Sequence, residues 1–171
     1  MRAERASVEL DTSRLRLRPA GEPDVDALHD LWIDRDVRRY LWDDRMISRA
    51  EALAVVQQSQ ETFERTGFGL WTIRPREEER LLGFCGLREI AATSEIEIVY
   101  GLSPRDWGRG FATEAAAAVL RFAREHCGRA DVLAKMDAPN LASARVAERL
   151  GMIRLPGAGP GLVYASTGTC G

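Results

Sequence analysis

The chain predicts an α/β (α+β) fold, a mixed and mostly antiparallel sheet with helices packed on it. Three observations carry this. SRLRLRPA (Ser13 to Ala20) alternates Leu15 and Leu17 with arginines, the period of a half-buried strand. A meander of three strand-like segments follows three helical ones. After it the pattern changes to helix, strand, helix, strand, which places helices against a sheet.

Taken in order, Pro19 ends the first strand. PDVDALHDLWI (Pro23 to Ile33) spaces Val25, Leu28, Leu31 and Trp32 as one helical face, and Val37 to Leu41 reads as a short second helix. SRAE (Ser48 to Glu51) has the hydroxyl and carboxylate of a capping box. The helix it opens should run to about Arg65, with Gly67 as its stop. Three strands come next: Gly67 to Pro75, Leu81 to Glu89 and Ser94 to Leu102. Gly83 and Gly86 in the second mark a close approach or a bulge. In the third, Ile96, Ile98, Tyr100 and Leu102 share one face, and Glu95, Glu97, Val99 and Gly101 the other. A glycine-rich elbow leads to a helix from about Thr113 to His126, ended by Gly128. Ala130 to Asp137 reads as a strand, Leu141 to Leu150 as a helix stopped by Gly151, and Leu162 to Ser166 as a last strand.

The length of 171 residues suits one domain spanning 1–171, with a core at about 13–166. A net charge of −2 argues against a general nucleic-acid grip, which needs a basic surface. No apolar run is long enough to span a membrane, and MRAERASVEL lacks the apolar stretch of a signal peptide. Cys85, Cys127 and Cys170 are far apart and odd in number, so neither a disulfide framework nor a metal site is expected. These features point to a reducing, cytoplasmic setting.

The elbow carries the chemistry. In RDWGRGFATEAAAAVL (Arg105 to Leu120), two glycines and two arginines stand where a strand gives way to a helix. Amides there lack intrahelical partners, and the helix dipole favours an anion. Gly108 and Gly110 can take positive φ, and Arg105 and Arg109 add charge. The alanines let the helix lie close to the sheet. A structural turn alone is the competing reading, because short glycine patterns are weak signals. A P-loop would need Gly-Lys-Ser/Thr, and no lysine is present here. A dinucleotide fingerprint would want glycine where Thr113 stands, and it normally opens a fold's first strand–helix unit. Asp131, about twenty residues on, has that fingerprint's spacing but opens its strand.

Arg105-x-x-Gly108-x-Gly110 resembles the acyl-CoA pyrophosphate loop of the GNAT N-acetyltransferase superfamily. EIEIVYGLSPRDWGRGFATEAAAAVL and NLASARVAERLGM resemble that family's cofactor-holding segments. SRLRLRP and GFGLWTI…LLGFCGL match in order, so the likeness covers about Ser13 to Met152. Within the family it is most similar to the branch of ribosomal-protein alanine N-acetyltransferases. The resemblance implies acetyl-CoA as co-substrate, no metal, an amine acceptor and a ternary complex. It implies that amides from Trp107 through Gly108, Arg109, Gly110, Phe111 and Ala112, with the Thr113 hydroxyl, hold the pyrophosphate. The pantetheine would pair with the end of the third meander strand, which the family splays from its neighbour, near Val99, Tyr100 and Leu102. Glu97 matches the family's glutamate and is the candidate base, with Glu95 in reserve; two solvated glutamates is the competing reading.

Asn140 is expected to cap its helix and bond the pantetheine. Many relatives place a tyrosine acid where this chain has Ala147, which raises Ser143 as proton donor to the thiolate. Trp32, Trp42 and Trp71 are candidates for the acceptor pocket or for packing. Cys85, His29 and His126 read as structural. After Met152 the relatives make a longer hairpin, whereas this tail is short and glycine-rich, with residues from about Ser166 expected to fray. That leaves an open acceptor groove or one completed by a second copy in a homodimer. The alternative reading is a non-catalytic acyl-CoA-binding sensor module.

Overall fold

The computed structural model describes residues 8–157 and 159–167. In chain order its strands and helices are β1 (Leu10–Asp11), β2 (Leu15–Pro19), α1 (Val25–Ile33), α2 (Arg35–Arg38), α3 (Arg49–Thr66), β3 (Leu70–Pro75), β4 (Gly83–Glu89) and β5 (Ile96–Leu102). They continue with α4 (Phe111–His126), β6 (Val132–Asp137), α5 (Leu141–Arg149), β7 (Ile153–Arg154) and β8 (Gly161–Ala165). The strands form one sheet in the order β1-β2-β3-β4-β5-β6-β8-β7. Every neighbouring pair is antiparallel except β5 with β6.

Local signals explain most of these elements. Leu15 and Leu17 are fully buried while Arg14, Arg16 and Arg18, which alternate with them, turn outward, as period-two alternation requires. Ser48 Oγ accepts from the Glu51 amide at 3.2 Å, and the Glu51 carboxylate accepts from the Ser48 amide at 2.7 Å, which closes the expected capping box. Gly67 then ends α3 in the left-handed conformation.

The sheet is covered on both faces. Against one lie α4 and α5, whose Ala115, Ala116, Val119 and Ala147 pack on Leu17, Ile73, Leu87 and Ile98. Against the other lie α1 and α3, with Val25, Leu28, Trp32 and Val56 over Leu70 and Phe84. Small side chains on α4 let its backbone approach the sheet, while Ala117, third of the four consecutive alanines, faces outward. At Gly86 the strands crowd: a Cβ there would stand 2.5 Å from the Gly69 carbonyl oxygen.

Several boundaries differ from the sequence expectations. β5 begins at Ile96, because Ser94 and Glu95 belong to the preceding turn, where the Glu95 carbonyl accepts from the Ile90 amide. α4 begins at Phe111, two residues before the expected start. β1 and β7 are each two residues long, too short to leave a periodic signal. The expected fraying does not begin at Ser166: its amide bonds the Val132 carbonyl at 2.8 Å, and its Oγ accepts from the Val132 amide at 2.9 Å. Residues 168–171, with Cys170 among them, lie outside the described residues. The short tail still makes a hairpin, with β7 pairing β8 at Ile153↔Ala165 and Arg154↔Tyr164.

Candidate active site

The site is built where β5 and β6 part. β4 and β5 pair over seven residue positions, and β6 and β8 over five. β5 and β6 pair at only two, Ile96↔Val132 and Glu97↔Leu133. Beyond Glu97 the strands diverge, so backbone groups of β5 that point toward β6 have no strand partner. An extended amide-bearing chain can occupy such a gap as a surrogate strand.

Glu97 sits at the vertex of this wedge. It is 7% exposed, and its Oε1 accepts from Arg88 Nε at 2.6 Å across the β4–β5 register. The ion pair compensates the burial of a carboxylate. Glu95 is exposed and absent from the cleft lining, so the expected reserve base is not at the site. Strand alternation put both glutamates on one face, but the strand starts after Glu95.

A cleft of about 650 Å³ opens from the wedge, and Glu97, Val99, Tyr100, Asn140 and Ser143 all line it. Asn140 Oδ1 accepts from the Ser143 amide at 3.2 Å, so the expected helix cap exists. The Tyr100 hydroxyl donates to the Ser143 carbonyl at 2.9 Å and so ties β5 to the first turn of α5. Burial pushes this phenol well above its ordinary pKa, which keeps it protonated. Ala147 is fully buried in the core. Leu102, expected near the pantetheine, lies in the core outside the cleft lining, and its carbonyl accepts from Trp107 Nε1 at 2.9 Å. Trp32 and Trp42 line the cleft, but Trp71 does not: it is fully buried between Phe63 and Phe122. Burial also raises the Cys85 thiol far above its ordinary pKa, which leaves it no thiolate for nucleophilic work.

The elbow leaves β5 through a short 3-10 turn at Pro104–Asp106 and enters α4 at Gly110. Gly108 and Gly110 have φ of +72° and +78°. A Cβ at Gly108 would meet nothing within 4 Å, so this glycine is required by the left-handed backbone, not by lack of space. Gly110 offers no side-chain cap to the helix, so the first α4 amides, from Phe111 to Thr113, remain available to an anion. Arg105, Trp107 and Arg109 are exposed around them, while the Phe111 side chain is buried and the Ala112 side chain half-buried. Among the described residues the Thr113 hydroxyl is buried without a hydrogen-bond partner, beside a second groove of about 550 Å³ between α4 and α5. Uncapped amides, an orphaned hydroxyl and an unpaired strand edge together fit a phosphate-bearing ligand with an extended amide arm.

Two clamps on the elbow were missed from the sequence. Asp106, 2% exposed, accepts from Arg80 Nη1 and Nη2 at 2.8 and 3.2 Å and from Arg109 at 3.4 Å. Glu114, in the first turn of α4, accepts from the Thr12 hydroxyl at 2.5 Å and from Arg14 N and Nε at 3.0 and 2.7 Å. Arg14 also donates to the Arg109 carbonyl at 3.0 Å. Both Arg14 and Arg109 lie over the Phe111 ring, at 4.6 and 4.7 Å from its centroid. Apart from Asp106 and Arg109, three residues apart, the partners are distant in the chain, so local spacing does not mark them.

The family described as acetyltransferase (GNAT) domain matches residues 14–153, which includes the wedge, the elbow and α5. The chain belongs to the GNAT acetyltransferase family. It is therefore an acyltransferase, and acetyl transfer is its chemistry. It is 32% identical over 150 residues to the uncharacterized protein YkkB of Bacillus subtilis, covering 86% of each chain. It superposes on an acetyltransferase from Agrobacterium tumefaciens with a TM-score of 0.84 at 25% identity, covering 98% of each. RimL, a ribosomal L7/L12 alpha-N-protein acetyltransferase solved with coenzyme A, shares the fold at a TM-score of 0.78 and 22% identity, covering 92% of this chain and 96% of that one. Among the described residues no helix is long and apolar enough to cross a membrane.

Proposed function

We propose that the protein moves an acetyl group from acetyl-CoA to a primary amine by direct transfer within a ternary complex. The observation that carries this is the wedge between β5 and β6 with a buried carboxylate, Glu97, at its vertex. Acetyl-CoA supplies the activated acetyl thioester. The elbow amides from Trp107 to Thr113, helped by the Thr113 hydroxyl, hold its pyrophosphate. The free edge of β5 pairs with its pantetheine arm, and the backbone N–H of Tyr100 polarises the thioester carbonyl; the register turns the Val99 amide, the other expected donor, toward Gly86 of β4. The side-chain amide of Asn140 takes a further bond from that arm.

Glu97 accepts the proton of the attacking amine, directly or through water. The carbon–nitrogen bond forms, the carbon–sulfur bond breaks, and the electron pair stays on sulfur. Ser143, beside the cleft on the first turn of α5, passes a proton to the departing thiolate and takes its replacement from water, while Glu97 returns the amine proton to water, so both side chains end in their starting states. No covalent acyl-enzyme is needed, consistent with the protonated state of Cys85.

The test follows release of free CoA from acetyl-CoA across a panel of amines, with wild type and Glu97→Gln. Turnover that falls in the variant supports the reading. Acetyl-CoA binding without turnover of any amine would instead favour the sensor alternative.

A further inference from the structure

Arg88 and Glu97 face each other across β4 and β5. Arg88 spends only its Nε on Glu97 Oε1, at 2.6 Å. Among the described residues its Nη1 and Nη2 have no protein partner, and its side chain is 66% exposed in the wall of the cleft. A free guanidinium fork therefore opens onto the same space as the carboxylate proposed as the base. Such a fork matches a carboxylate with two parallel hydrogen bonds.

The remaining charges of the cleft sharpen the choice. Glu89 is gripped by Arg65 Nη1 and Nη2 at 3.1 and 2.5 Å. Both cleft carboxylates are thus paired to arginine, and exposed Lys135 adds a further positive charge. A polycation finds no unpaired anion here. Away from the charges the cleft turns apolar. Phe84 stands four residues before Arg88 on the same strand face, about 13 Å away at strand rise. Trp32 meets it edge-on at 5.8 Å, and Trp42 meets Trp32 in the same way at 5.8 Å.

We propose that the acceptor is a free amino acid with an apolar side chain: Arg88 Nη1 and Nη2 hold its carboxylate, Glu97 faces its amine, and its side chain points toward Phe84, Trp32 and Trp42. An amino acid carries amine and carboxylate on one carbon, the separation that two side chains in direct contact can serve. The proposal rests on the reading of Glu97 as the base.

The experiment measures initial rates of CoA release with phenylalanine, phenylalaninamide, phenethylamine and spermidine, in wild type and Arg88→Met. Wild type should prefer phenylalanine to the two uncarboxylated analogues by roughly 10- to 100-fold in kcat/KM, the loss of a charged hydrogen-bonded contact. In Arg88→Met that ratio should fall to near one. General damage, including any change at Glu97, lowers all rates together and leaves the ratio standing. Equal or better use of phenethylamine or spermidine by wild type overturns the proposal while leaving the transferase reading intact. So does a ratio unchanged in the variant. Failure of wild type to release CoA with any amine overturns both.

Discussion

The Asp106 carboxylate is held by both terminal nitrogens of Arg80, which fastens the elbow to the charged turn between β3 and β4. Asp106 is almost fully buried, so removing its partner strands a charge. Arg80 is itself 39% exposed and Arg109 remains nearby, which moderates the loss. Arg80→Met should destabilise the fold by about 2 kcal/mol, a drop of about 4–8 °C in Tm. Thermal denaturation checks it, and an unchanged Tm would show that Arg109 suffices.

Glu114 ties the β1–β2 turn to the start of α4. Burial alone would raise its pKa, but the bonds from Thr12 and Arg14 outweigh burial and hold it below the usual glutamate range. A carboxyl lowered on folding contributes stability that is fully present above its unfolded value, about 4.3, and is lost as pH falls through the folded value. Glu114→Gln should therefore be less stable than wild type near pH 7 by about 1 kcal/mol. The difference should shrink as pH falls below about 4. Denaturant unfolding at pH 7 and pH 3 measures it; an equal difference at both would exclude the charge as its source.

For Glu97→Gln we expect unchanged acetyl-CoA affinity and a transfer rate lower by about 100-fold at neutral pH. The deficit should narrow at alkaline pH, where the amine loses its proton without help. A pH–rate profile matching wild type would remove Glu97 from the mechanism.

Ser143→Ala removes the proposed proton donor and should lower kcat by at least about 10-fold while leaving acetyl-CoA affinity intact. Tyr100→Phe keeps the ring but frees the Ser143 carbonyl, at about 1 kcal/mol of stability. If Tyr100→Phe lowers kcat and Ser143→Ala does not, the proton donor is the phenol. Stopped-flow or steady-state kinetics on the two variants decides this.

The parts of the fold written in local chemistry were legible. Alternation found β2 and β5, the Ser48 box and Gly67 bounded α3, and R-x-x-G-x-G located the elbow with its left-handed glycines. What escaped was set by tertiary structure. Glu95 shares the parity of Glu97 but precedes the strand. Trp71 is the same residue type as Trp32 and Trp42, yet its strand position faces α4 rather than the cleft. The partners Arg80–Asp106 and Thr12–Arg14–Glu114 meet only after folding, and the Arg88–Glu97 pair depends on the β4–β5 register.

The most direct measurement is calorimetric titration of wild type and Gly110→Glu with acetyl-CoA, with NADH and ATP as controls. Gly110 has φ of +78°, which disfavours any side chain, and glutamate adds an anion beside the free amides. We expect wild type to bind acetyl-CoA and neither control, and the variant to lose that binding while circular dichroism shows it folded. Equal acetyl-CoA affinity in a folded variant would contradict the elbow as the pyrophosphate site.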